Sequence, residues 1–123
     1  MSTNQVPRRV EKPWGHELIW AHTDRYVGKV LHIKAGHALS LQYHIVKDET
    51  LHCLSGQMEL ELDEGKGFYK RMLNPGESYH VKPGTKHRMT AITDTDILEA
   101  STAELNDVVR LEDRYGRVGT SAP

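Results

Sequence analysis

Gln42, His44, Glu49 and His87 are the residues of this chain whose types and spacing suit chemistry at a shared site. In the extended stretch Leu39-Ser40-Leu41-Gln42-Tyr43-His44, side chains alternate between two faces, so Ser40, Gln42 and His44 share one and Leu39, Leu41 and Tyr43 the other. Glu49 opens a run in which Leu51 and Cys53 lie on its face, and His87 leaves the turn Pro83-Gly84-Thr85-Lys86 on the face of Met89 and Ala91. Polar groups on apolar faces need partners, because burying one unpartnered costs roughly 2–7 kcal/mol. A single divalent metal ion would partner all four, whereas the rival reading is a buried hydrogen-bonded cluster without an ion. Two imidazoles, one carboxylate and one amide oxygen make an N/O donor set suited to Zn, Mn, Fe, Co or Ni. The set lacks the thiolates usual in structural zinc sites, and an ion held this way retains capacity for substrate oxygens, which is the requirement for Lewis-acid catalysis.

Strands must position these groups. Apolar residues recur at every second position in residues 26–34, 39–45, 50–54, 57–62, 68–72, 78–81, 87–92 and 97–100. Ala35-Gly36, Ser55-Gly56, Glu64-Gly65-Lys66-Gly67, Asn74-Pro75-Gly76 and Pro83-Gly84 punctuate the runs with turn residues. In residues 57–63, Met58, Leu60 and Leu62 alternate with Glu59, Glu61 and Asp63, one face core and the other solvent. Short strands at this density predict an all-β, two-sheet or closed barrel. Residues 106–115 are read as a short helix or an extended arm, residues 1–13 as a flexible arm and residues 118–123 as a disordered tail, with the barrel in residues 14–117.

Composition sets outer limits. At 123 residues a single domain is expected. Lys+Arg 16 against Asp+Glu 17 leaves a net charge of −1, which lacks the basic excess of a general nucleic-acid binder. No apolar run approaches the roughly 18–20 residues of a membrane span. A single Cys forms no intramolecular disulfide and the N-terminus shows no apolar leader, so a reducing cytoplasm is the expected compartment. Trp14 and Trp20 flank an N-terminal segment richer in apolar residues than its surroundings, expected to cover a sheet or meet a second subunit; a homodimer is predicted.

The spacing Gly36-X5-Gln42-X-His44-X4-Glu49-X6-Gly56, followed by Gly76 and Pro83-Gly84-X-X-His87, resembles the two motifs of the cupin superfamily, with Gln42 where most cupins place histidine. Further matches narrow the resemblance. Leu39-Ser40-Leu41-Gln42-X-His44, Lys12-Pro13-Trp14-Gly15, Gly84-Thr85-Lys86-His87-Arg88 and the run from Asp107 to Arg117 are similar to the cupin domain of type II phosphomannose isomerases. That family commonly has His-Trp where this chain has Thr50-Leu51, and a longer loop where this chain has Ala103-Glu104-Leu105-Asn106.

The resemblance implies a cupin double-stranded β-helix, or jelly-roll barrel, that holds one divalent metal on Gln42, His44, Glu49 and His87. It also implies interconversion of mannose 6-phosphate and fructose 6-phosphate through an enediolate. Lys29 shares a face with Leu31 and Ile33 and matches a family lysine; it is a candidate phosphate or oxyanion partner, or a side chain snorkelling from the barrel end. Glu99 matches a family glutamate and is the candidate general base. Arg88 and Arg110 are candidate phosphate contacts, or surface ion pairs. Two other readings stand beside the isomerase: an Fe-dependent cupin dioxygenase and a non-catalytic module that binds metal and sugar.

Overall fold

The computed structural model describes residues 5–117 and 119–120. Among the described residues, twelve strands follow one another in the order β1 (Arg8–Lys12), β2 (Gly15–His22), β3 (Tyr26–Ile33), β4 (Leu41–Tyr43), β5 (Glu49–Ser55), β6 (Met58–Asp63), β7 (Tyr69–Leu73), β8 (Ser78–Val81), β9 (Lys86–Ala91), β10 (Thr95–Thr102), β11 (Val109–Glu112) and β12 (Gly119–Thr120). They form two six-stranded sheets, one ordered β1-β2-β3-β10-β5-β8 and the other β12-β11-β4-β9-β6-β7. Every pairing is antiparallel. This is the all-β, two-sheet barrel expected from the alternation, in the jelly-roll form that the resemblance implied. No helix occurs among the described residues, so none is long and apolar enough to cross a membrane.

Alternation explains the core. Met58, Leu60 and Leu62 on β6 point inward with Met89 and Ala91 of β9, and meet Leu31, Ile33, Leu51, Cys53 and Ile97 of the other sheet. The inner faces of both sheets are thus removed from water, the main driving force of folding. The turns at the barrel ends need glycine where φ is positive. At Gly56, φ is 83° and an added Cβ would lie 2.2 Å from the carbonyl oxygen of Asp94, so any side chain would displace the β5–β6 turn.

The chain termini differ from expectation. Residues 8–12 lie within the arm expected to be flexible, yet they form β1 and pair with β2 from Arg8↔Ile19 to Lys12↔Gly15. Their polar sequence carries no apolar period because β1 is a sheet edge held by backbone hydrogen bonds, a place where charged side chains are favoured. The 106–115 region is extended: β11 pairs with β4. Within the expected tail, Gly119 and Thr120 pair with β11, while Val118 and residues 121–123 lie outside the described residues. Trp14 is a core residue, 2% exposed, whereas Trp20 is 51% exposed and lies over Gly28.

Candidate metal centre

Three of the four expected ligands converge. One ligand atom from each of His44, Glu49 and His87 can be chosen so that all lie within 4.8 Å of one another, and all three residues are buried. His44 follows β4, Glu49 begins β5 and His87 lies on β9, so the group spans both sheets. The Pro83-Gly84 turn joins them directly: the Gly84 N–H donates to the His44 carbonyl oxygen at 2.7 Å, which ties the entry to β9 onto the end of β4. Gln42 stands opposite His87 in the β4–β9 register and lines the same cavity as His44. Its Oε1 accepts a hydrogen bond from the Ser40 hydroxyl at 2.6 Å.

Backbone acceptors set the imidazole tautomers. His44 Nδ1 lies 2.6 Å from the Asp107 carbonyl oxygen, and His87 Nδ1 lies 2.9 Å from that of Thr85. A carbonyl only accepts, so each Nδ1 carries a proton, and Nε2 is the nitrogen whose lone pair an ion would take. Those Nε2 atoms face Glu49, at 3.4 Å from His44 and 3.5 Å from His87, and neither has a hydrogen-bond partner. Two buried lone pairs turned toward a buried carboxylate repel unless a cation lies among them. The residues present therefore fit a divalent ion.

The structure adds a residue that periodicity did not reveal. Lys47, 4% exposed, places its Nζ 3.1 Å from Glu49 Oε2 and 3.0 Å from Glu99 Oε2. Burial disfavours its charge, but Glu99 and Glu49 outweigh that and hold the ammonium protonated. Burial likewise opposes ionisation of Glu49, and the Lys47 ammonium overrides it, keeping the carboxyl well below the usual range. Lys47 thus links Glu99 to the candidate ligands. Its loop is stapled by Asp107, whose Oδ1 accepts from the Ile45 N–H at 3.0 Å and whose Oδ2 accepts from those of Val46 and Lys47 at 2.7 and 2.8 Å.

This staple carries a pH signature. Burial raises the Asp107 pKa and the three N–H donors lower it, leaving it below the ordinary 3.8. A carboxylate depressed in the folded state stabilises above its unfolded pKa and loses that contribution as pH falls through the folded value. Asp107→Asn, which offers an amide N–H to donors, is expected to melt at lower temperature at pH 7. The deficit should narrow as pH drops below about 3.8 in melts recorded across an acid series; a deficit independent of pH would contradict the staple.

The other expected site residues divide. Glu99 is buried on β10, opposite Lys29 of β3 and Leu51 of β5, and lines the cavity. Lys29 is also buried there, and its Nζ pairs with both carboxylate oxygens of Glu17 at 3.4 Å rather than snorkelling out. Arg110 is buried on β11, opposite Gln42, and lines the same cavity. Arg88 takes the ion-pair alternative. One residue from the inward His87, it projects from the other face of β9, with Nε 3.4 Å from Glu61 and Nη1 3.8 Å from Glu112, and it does not line the cavity. His16, His22, His32, His37, His52 and His80 lie outside the ligand group.

The cavity measures about 40 Å³. At roughly 10–15 Å³ of such volume per water, it holds on the order of three waters. Trp14, Leu39 and Met89 give it apolar walls, and Leu105, Val108, Arg110 and Arg117 approach from the segment after β10.

Comparison with known proteins places this geometry. The family model described as "Cupin domain" matches residues 29–100. A mannose-1-phosphate guanylyltransferase of Escherichia coli (strain K12) is 33% identical over 120 residues, 94% of this chain but 24% of that protein, so the chain spans about a quarter of its relative. Among solved structures, KdgF from Halomonas sp. superposes with a TM-score of 0.66 at 23% identity, covering 80% of this chain and 88% of that one. Oxalate decarboxylase from Bacillus subtilis superposes with a TM-score of 0.74 at 13% identity, covering 85% and 30%. At such identities these likenesses show the fold.

Proposed function

The chain belongs to the cupin domain family, and on that premise we propose that it is a divalent-metal-dependent aldose–ketose isomerase acting on a hexose 6-phosphate, with mannose 6-phosphate and fructose 6-phosphate as the pair. The observation that carries this reading is the buried line Glu49–Lys47–Glu99, which sets a carboxylate that touches none of the candidate ligands beside the group that would hold the ion. His44, Glu49 and His87, with Gln42 beside them, would hold the metal, and bound there it would supply Lewis-acid polarisation of the substrate's oxygens. Glu99 takes the proton from C2 of the aldose and returns it to C1, while the O2 proton passes to O1; the two sugars are isomers, so no oxidant or reductant is consumed. Lys47, 3.0 Å from Glu99 Oε2, holds that carboxyl group in place. Lys29, neutralised by Glu17, fixes the cavity wall behind Glu99. The sugar-phosphate relative supports the substrate class, since its match spans the strands bearing these residues.

The test is a coupled assay of the metal-loaded protein for mannose 6-phosphate to fructose 6-phosphate conversion, with Glu99→Gln beside it. Turnover is expected in the parent, and a fall in kcat of about 10²–10⁴-fold in the variant with metal content unchanged. Metal and sugar phosphate bound tightly without turnover would replace the enzyme with a binding module; substrate-dependent oxygen uptake by an iron-loaded form would replace it with an oxygenase.

A further inference from the structure

A second concavity adjoins the metal cavity. It is a groove of about 690 Å³, lined by Arg8 and Val10 of β1, His22 of β2 and residues 103–107. Leu105 is the one residue common to the linings of the groove and of the inner cavity. The wall between them is a single residue deep at Asp107 as well, which lines the groove while its carbonyl oxygen accepts from His44 Nδ1 on the inner side.

The two spaces differ in what they hold. Small-molecule sites measure roughly 300–1,000 Å³, so the groove has the volume of such a site and the inner cavity, at about 40 Å³, does not. A ligand that reaches the candidate metal ligands therefore places only a narrow end there, and its body must lie outside. The groove can take that body. Glu104 on its lining keeps Oε2 buried without a hydrogen-bond partner, an acceptor suited to a ligand hydroxyl.

The segment that carries Leu105 is tied at both ends and slack between them. The Thr102 N–H donates to the Asp48 carbonyl oxygen at 3.0 Å, and Thr102 Oγ1 accepts from the Asp48 N–H at 3.0 Å. At the other end Asp107 holds the N–H groups of residues 45–47. Among the described residues, the backbone bonds of 103–106 are local: the Leu105 N–H reaches Ala103 at 2.9 Å, the Asp107 N–H reaches Glu104 at 3.4 Å and the Val108 N–H reaches Asn106 at 3.1 Å. Ala103, Glu104 and Leu105 are half-buried and Asn106 is exposed, whereas Ser101 and Val108 on either side are buried. A part-exposed segment with only local bonds opens at lower cost than the sheets it joins.

We propose that Leu105 is the gate between groove and cavity: the narrow end of a ligand passes its side chain to reach His44, Glu49 and His87, while the body rests in the groove. The gate selects by shape, admitting a slim end and holding back a ring. It stands whatever reaction follows at the candidate metal centre.

Thiol accessibility in the full chain after chelation tests the gate with neither metal nor substrate. Ser40 lines the inner cavity and is 1% exposed, so Ser40→Cys sets a thiol behind Leu105. Methyl and benzyl methanethiosulfonate share one chemistry and differ in girth, and peptide mass spectrometry reads where each reacts. Relative to their rates with free cysteine, the benzyl reagent is expected to be at least about tenfold slower than the methyl one at the introduced thiol. Adding Leu105→Ala should raise the benzyl rate by about tenfold and the methyl rate by less than about threefold, and adding Leu105→Phe should slow both. Buried Cys53 reports general loosening. If Ser40→Cys does not fold, Leu39→Cys on the same lining carries the same expectation. Rates that ignore residue 105, or a rise shared equally by both reagents and by Cys53, would overturn the gate.

Discussion

His87→Ala is expected to lose its divalent metal and, with it, all metal-dependent thermal stabilisation. The variant removes one of two Nε2 lone pairs directed at Glu49, leaving His44 and Glu49 as a two-residue remnant beside Gln42. Loss of a group that merely orients a metal ligand costs about 10–100-fold in affinity, so loss of the ligand itself should cost more than about a hundredfold. In the parent, an ion at a hundred times its dissociation constant stabilises the fold by about 2.7 kcal/mol, which appears as a rise in melting temperature that chelation reverses. Elemental analysis of the variant should find metal well below stoichiometric, and its melting curve should be the same with and without chelator. A variant that keeps a chelator-sensitive melting shift would show that the ion sits elsewhere.

Lys47→Met should produce the largest stability loss in metal-free protein. It leaves Glu49 and Glu99, both buried, without the ammonium that lies 3.1 and 3.0 Å from them. Removing one partner of a buried ion pair costs about 3–5 kcal/mol, because the remaining charge has neither water nor counterion. Here two carboxylates share the lost cation. Urea unfolding at pH 7 in chelator should show this loss for Lys47→Met, and Lys47→Met/Glu99→Gln should recover part of it, a non-additivity of about 0.5–3 kcal/mol. The recovery distinguishes electrostatics from packing, since methionine fills much of the lysine's volume in all variants. If Lys47→Met unfolds within about 0.5 kcal/mol of the parent, the ion-pair account of the cavity is wrong.

Much of the site could be read from the chain because the relevant periodicity is local. Successive strand residues face opposite ways, so the alternation about Gln42 and His44, about Glu49, Leu51 and Cys53, and about His87, Met89 and Ala91 selects inward side chains without knowledge of any partner strand. The same rule already placed Arg88 on the outer face of β9, one step from His87; the arginine was matched to phosphate by its chemistry while its parity pointed away. Glu17 was overlooked because residues 15–22 were not read as a strand, and its pairing with Lys29 depends on the β2–β3 register.

Lys47 lies beyond this kind of reading. It sits in the loop between β4 and β5, where no alternation assigns a direction, and its backbone is held by Asp107, sixty residues later. Asp107 also supplies the carbonyl that fixes the His44 tautomer. Lys12, on a polar edge strand, is brought to the cavity by the pairing of β1 with β2.

By itself, then, the sequence determined the all-β barrel, the turns, the inward parity of the candidate ligands and their donor chemistry, because each follows from neighbours a few residues apart. Only the tertiary structure decided which charges neutralise one another inside the cavity and which ring nitrogens remain free for an ion. Those depend on contacts between residues far apart in the chain, and Coulombic and hydrogen-bond energies are set by distances that close only when the two sheets pack.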